Sequence, residues 1–208
     1  DLPGHVRSLF CPQEGEERMN KKTLLLVRGV AVVAQLGVVA RMINTQETIL
    51  REGVAYRFRT APVDPYDAFR GRYVAIALEP REMTMPECLV RFGRGEEVFV
   101  MLGTDTNGYA EIRGASVERP PAGDYLRVTT GWSQNNGQLG VRYPIDRYYL
   151  PEDEAPRAEQ LYREHSRRGQ QDAHVVLKIR KGEAVAEDLV IGDRSIRAWL
   201  NEDLPVQP

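Results

Sequence analysis

The chain has 208 residues, a formal net charge of -2, and a hydrophobic content of 42% beside 28% charged residues. That balance supplies one sizeable core and excludes wholesale disorder, and because Lys and Arg are interspersed with Asp and Glu it leaves no basic excess for a nucleic-acid backbone. The only two cysteines, Cys11 and Cys88, exclude a disulfide scaffold and any Cys-rich zinc or iron–sulfur site.

The first methionine, Met19, stands before Asn20, Lys21, Lys22 and an apolar run, the order in which exported proteins begin. Met19 is therefore read as the true start, with residues 1–18 a non-native or disordered extension. Glu14, Gly15, Glu16, Glu17 and Arg18 are what a purine-rich ribosome-binding sequence would encode if read in frame. The alternative is a short cytoplasmic tail, and N-terminal sequencing of native protein that returned Asp1 or Leu2 would establish it.

Residues 23–43 form the apolar segment. Its length suits a spanning helix, which needs about 20 residues for about 30 Å of hydrocarbon. Arg28 lies near the cytoplasmic end, where its stem can snorkel to the interface, and Gln35 is the other interruption. If Arg28 belongs instead to the charged region, the apolar core shortens to residues 29–39, and residues 38–40 satisfy the small-residue rule for cleavage. Both readings export the rest of the chain. Retention is the preferred one: a single-pass bacterial inner-membrane protein, anchored through residues 23–43, whose C-terminal domain lies in the periplasm by the positive-inside rule. The alternative is a soluble periplasmic protein released by cleavage near Ala40. Since no cysteine stands directly after the apolar core, lipoprotein processing is excluded, and Cys11 and Cys88 fall on opposite sides of the membrane.

Residues 19–50 are thus the anchor and a polar stem, 51–204 an extracytoplasmic domain, and 205–208 a tail. Within the domain Val54, Tyr56 and Phe58 alternate with polar residues, the two-residue period of a half-buried strand. Residues 73–78 repeat that pattern, and 98–102 are apolar throughout. Asp105, Thr106, Asn107 and Gly108 make a hairpin turn, because Asn-Gly readily supplies positive φ, and lead into a strand at 109–117. Pro120 and Pro121 break the chain before strands at 125–130 and 138–143, with a polar turn at 133–137. A helix is expected at 154–168, where Ala158, Leu161 and Tyr162 recur at helical spacing and Gly169 stands at the C-terminal cap. Strands at 174–179, 184–191 and 195–200, joined by turns at Lys181-Gly182 and Gly192-Asp193, complete a meander. The expected fold is mainly β, antiparallel and meander-rich, with one short helix in its middle-to-C-terminal part and a hydrophobic helix ahead of it.

One stretch stands out: Pro62, Val63, Asp64, Pro65, Tyr66, Asp67, Ala68, Phe69, Arg70, Gly71, Arg72, Tyr73 and Val74, a proline-locked loop that carries two aspartates and two arginines into a strand. A second block, residues 143–152, has an aromatic pair, Tyr148 and Tyr149, before Pro151 and Glu152. Together with the apolar helix, these features resemble the GDYXXLXY family of membrane-anchored bacterial proteins. Gly71 and Tyr73 match its motif and Ile76 is a conservative change, whereas Arg72 replaces the acid and Leu78 the final tyrosine. The resemblance implies location and fold and carries no activity with it.

Aspartates beside prolines ordinarily cap turn backbone, and Arg70 pairing with one of them would be structural. On the functional reading Asp64, Asp67, Arg70 and Tyr73 meet Asp146, Arg147, Tyr148 and Glu152 in one polar cleft for a ligand or partner. No other chemistry is assembled. His5, His165 and His174 lie in neither a Gly-x-Ser-x-Gly nor a His-Glu-x-x-His context. A calcium loop starting at Asp105 would need a glutamate where Ser116 stands. No pair of carboxylates is singled out for glycosidase work. The expectation is a non-enzymatic module that binds an envelope protein partner, without cofactor or metal and without nucleic acid. The alternative is a periplasmic enzyme or small-ligand binder using the Asp64 and Asp146 loops.

Overall fold

A computed structural model describes residues 21–61, 73–84, 93–133, 138–165 and 172–202. The chain divides into two compact units, Asp1–Ile43 and Asn44–Pro208.

Helix α1, Lys21–Glu52, begins in the first unit and ends in the second. From Leu24 onward it is long and apolar enough to cross a membrane. Leu25, Val33, Leu36, Val39 and Ile43 are all exposed on it, so this stretch makes no core of its own and has nothing but its surroundings to bury it. Within the second unit the helix closes on Gly53, whose amide donates to the Ile49 carbonyl at 2.8 Å, and Ile49 itself is buried.

The second unit is antiparallel β structure with two further helices. One five-stranded sheet has the order β12 (Arg194–Ser195), β11 (Glu183–Ile191), β10 (Ala173–Arg180), β1 (Val54–Ala61), β3 (Ala77–Glu79). The other runs β4 (Glu82–Thr84), β8 (Gln138–Arg142), β7 (Tyr125–Ser133), β5 (Glu97–Thr104), β6 (Ala110–Ser116). A two-stranded pair joins β2 (Tyr73–Ala75) to β9 (Arg147–Tyr149). Helices α2 (Ala155–His165) and α3 (Ile196–Glu202) complete the fold.

Alternation explains the core. Tyr56 and Phe58 on β1 stand opposite Leu177 and Val175 on β10, and Val98 and Val100 on β5 stand opposite Val128 and Leu126 on β7. All eight side chains are buried in one continuous cluster, so the two large sheets share one core. At about 25 cal/mol per Å² of apolar surface, burial on this scale is the main force holding the unit together. The Lys181-Gly182 turn between β10 and β11 has both residues at positive φ, 53° and 88°, the two-residue hairpin geometry whose twist matches the strands it joins. The Gly182 carbonyl accepts from the Arg127 amide at 2.9 Å, which fastens this hairpin tip to the other sheet.

Three expectations change. The run at 73–78 is two short strands belonging to different sheets, divided at Ile76. The strand expected at 195–200 is only its first residue; the remainder is α3, since Ile196 and Leu200, one helical turn apart, are both buried and Ser195 Oγ accepts from the Arg197 amide at 3.3 Å as a cap. Among its described residues the domain therefore holds two short helices, α2 and α3, where one was expected. Residues 1–18 and the polar turn beyond Ser133 lie outside the described residues.

Candidate functional site

The β2–β9 pair is the place where the two sequence blocks meet. Tyr73 stands opposite Tyr149, Val74 opposite Tyr148, and Ala75 opposite Arg147. With a period of two, one face of this ribbon carries Val74 and Tyr148 into the core and the other carries Tyr73, Arg147 and Tyr149 outward. The ribbon continues by one more bond, the Ile76 amide donating to the Asp146 carbonyl at 2.9 Å.

On the outward face the Tyr73 and Tyr149 rings meet edge to face, with centroids 5.9 Å apart. The Arg147 guanidinium lies 4.8 Å from the Tyr73 ring centroid, and its Nε is 3.5 Å from Asp146 Oδ1. Contact with the Tyr149 side chain, and then the Asp146 carboxylate, hold Arg147 above the usual arginine range. Tyr149 is 65% exposed, so a large aromatic surface with a polar tip is presented to solvent from a short strand pair whose inner face is locked in the core.

Tyr148 is placed differently. It is 3% exposed and points away from Arg147, into the core. Its hydroxyl is buried and no neighbour meets it with full hydrogen-bond geometry, yet Arg197 and the Leu189 backbone lie close enough to oppose the rise in pKa that burial causes. Glu152 is exposed in the turn that leads into α2. Asp64, Asp67 and Arg70 lie outside the described residues, so of the eight candidates Tyr73, Asp146 and Arg147 are the ones drawn into one cluster. Tyr149, half of the aromatic pair but not one of the eight, belongs to it. Its signal is the alternation itself: in an extended Arg-Tyr-Tyr segment, the residues flanking a buried tyrosine share the opposite face.

Asp146 also lines a cleft of about 400 Å³, with Ile76, Leu78, Arg81, Glu82 and Arg142 around it. Among the described residues, no three His, Cys, Asp or Glu side chains are grouped so as to hold a metal ion.

The family model for the GDYXXLXY protein matches residues 35–189, which span the end of the apolar segment, both sequence blocks and most of β11. The chain belongs to the GDYXXLXY family. No curated protein and no solved structure matches it. In this member of the GDYXXLXY family, the part of the eponymous motif that the structure describes, residues 73–78, has a physical reading. Val74, Ile76 and Leu78 are all buried, while the chain between Tyr73 and Glu79 leaves one sheet and enters another. The motif's apolar positions hold that crossing in the core, and its first tyrosine faces outward.

Proposed function

We propose that this GDYXXLXY protein is a non-enzymatic accessory module of the bacterial envelope, held in the inner membrane by residues 23–43, with its β-rich domain in the periplasm, where it binds another envelope protein. The observation that carries the binding role is the outward cluster of Tyr73, Arg147 and Tyr149: Tyr and Arg are among the side chains most enriched where protein interfaces concentrate their energy. A ring already held by its neighbours loses little conformational freedom on docking. Asp146 sits at the edge of the cluster as its polar rim, and Asp64, Asp67 and Arg70 are included in the proposed binding face on the strength of their sequence positions just ahead of Tyr73. The exposed apolar helix supports the anchor, and the Lys21-Lys22 flank supports the orientation.

The test is site-specific photo-crosslinking in native membranes. A photoreactive residue replacing Tyr149 is expected to trap a defined protein, and the same residue at Arg127, exposed on β7, is not. Equal yields from both positions would remove the binding face. A reporter fused after Pro208 is expected to be active in the periplasm, and activity confined to the cytoplasm would reverse the orientation. A mature N-terminus at Arg41 would replace the anchor by a cleaved signal.

The second reading, a small-ligand binder or enzyme, has the Asp146 cleft in its favour, because Glu82, Arg81 and Arg142 line it with charge of both signs. It predicts that Asp146→Asn alters ligand-dependent stabilisation without altering crosslinking at Tyr149.

A further inference from the structure

The outermost strands of the two large sheets are β12, β3, β4 and β6. The first three run for two or three residues, whereas β6 runs for seven. Tyr109 bridges to Arg57 just before β6 begins; beyond it, among the described residues, no strand pairs with β6 on the side away from β5. An outer strand in this position presents a row of N–H and C=O groups that water or another strand must satisfy.

Charge decides what can lie along such a row. β12 covers β11 only at Val190 and Ile191, and the stretch of β11 left open carries Glu183, Glu187 and Asp188. An antiparallel copy of that stretch sets acid against acid, so this edge is guarded against its own kind. β6 is the opposite case. Its two charged residues are Glu111 and Arg113, and an antiparallel copy with Ile112 on a two-fold axis sets Glu111 of each chain opposite Arg113 of the other. Within one chain the two are already joined at 3.0 Å at the surface. The axis brings two such pairs together with their signs alternating, a small network rather than an isolated pair.

Side-chain placement leaves the edge accessible. The β5–β6 register slips by one residue between Met101 and Leu102, which makes Arg113 the extra residue of a bulge. Its side chain lies back across Gly103, where a Cβ would strike it, and its Nη2 donates to the Thr104 carbonyl at 3.3 Å. The bulge, a device that ordinarily blunts an edge, is here folded over β5. Gly114, opposite Met101, has no side chain to cover it, and Met101 is exposed, as is Val117 directly after the strand. Beside Ala110 and Glu111 a groove of about 490 Å³ opens toward Pro80, so there is space next to the strand as well as an unpaired edge.

We propose that two copies of this chain associate through β6, edge to edge and antiparallel about Ile112, with the Glu111–Arg113 contacts fixing the register and the second copy covering part of Met101. The contact uses the same patch on both chains and closes on itself. It goes beyond the binding of an envelope protein at Tyr149 and does not rest on it.

The test is sedimentation equilibrium of the full chain in detergent micelles, run on the parent, on Glu111→Arg, on Arg113→Glu and on an equimolar mixture of the two variants. The parent is expected to show a concentration-dependent equilibrium between one and two copies. Each variant alone places like charges at both cross-strand contacts and is expected to associate at least about tenfold more weakly, the size of two exposed pairs turned from attraction to repulsion. Mixing them is expected to restore association, because one chain then offers only acids at the two positions and the other only arginines. Neither variant regains its intrachain pair on mixing, so a purely structural role for Glu111 and Arg113 cannot produce that recovery. A chain carrying both substitutions keeps the alternation of sign and is expected to associate like the parent, which preserves the test should either single variant fold poorly. A parent that stays single at every concentration overturns the proposal. So does association of equal strength in the parent and both variants, which assigns it to another surface such as the apolar part of α1, and so does a mixture or a doubly substituted chain that fails to recover.

Discussion

Tyr73 and Tyr149 are directly opposite each other on β2 and β9, and their rings close edge to face at 65° on the solvent side of that pair. Two aromatic residues far apart in sequence are thereby preassembled on a rigid ribbon, with Arg147 across the Tyr73 ring. Truncating Tyr149 should separate binding from stability. Tyr149→Ala is expected to cost less than about 1 kcal/mol in denaturant unfolding, since the edge-to-face contact with Tyr73 and the contact with Arg147 that it removes are both on the exposed face. The same variant is expected to abolish photo-crosslinking from a probe placed at Tyr73. Retained crosslinking would show that the aromatic pair is not the binding face.

Tyr148, one residue earlier, should behave in the opposite way. Its ring fills the core, so Tyr148→Ala is expected to cost about 3–5 kcal/mol, as for other large aromatic truncations. Tyr148→Phe removes only a buried hydroxyl that lacks a well-formed hydrogen bond, although Arg197 and the Leu189 backbone lie close to it. It should therefore leave stability unchanged or raise it by up to about 1 kcal/mol. A loss of more than that in urea unfolding would mean that the hydroxyl is bonded after all.

These two tyrosines mark how far local sequence reaches. Strand pattern is legible wherever alternation runs for a whole strand, as in β1 and β10, because a buried face leaves a period of two. It misleads at Val74, Ile76 and Leu78, where unbroken alternation hides a change of sheet: burial on one side is continuous, while the hydrogen-bonding partner switches from β9 to β1. At Ile196 and Leu200 a short apolar run reads as a strand, although Ser195 in front of it is a cap signal that favours a helix. The candidate site is only partly legible. Proximity of Tyr73 to Arg147 depends on non-local pairing, which residue types in two separate blocks cannot specify. Arg59 and Asp105 make the same point, since their 2.8 Å ion pair joins β1 to a turn whose sequence signals are purely local.

That turn is also sensitive to acid. Asp105 Oδ1 accepts from the Asn107 and Tyr109 amides at 2.8 Å each, and Oδ2 from Arg59. The Tyr109 amide first, with Arg59 and the Asn107 amide after it, holds the Asp105 carboxyl below the usual carboxylate range. Its contribution to stability is thus present above about pH 3.9, the unfolded value, and is lost as pH falls through the lower folded one. Asp105→Ala should lower the midpoint of thermal unfolding more than Asp105→Asn, which keeps one capping oxygen. Equal effects would mean that the charge and the Arg59 pair, rather than the caps, hold the turn.

His174 is the converse case, a base kept neutral by the fold. It is 8% exposed on β10, its Nδ1 has no partner, and its ring stands edge to face on Tyr109 at 5.6 Å. Burial first, and then the positive charge of Arg57, lowers its pKa; the backbone at Asp172 and the carboxylates of Asp188 and Asp193 oppose them without prevailing. Below about pH 6.5 the unfolded chain binds a proton at this site that the folded chain resists, so folding stability falls as pH drops below that value and levels off beneath the lower folded pKa. Carboxylates titrate lower, which leaves the interval between about pH 5 and pH 7 as the window for the histidine. His174→Phe keeps an aromatic ring against Tyr109 and removes the titration. Urea midpoints measured across that interval should decline on acidification in the parent chain and decline less in the variant. Parallel curves would show that His174 protonates as readily in the folded domain as in the unfolded chain, and that its buried nitrogen finds a partner when charged.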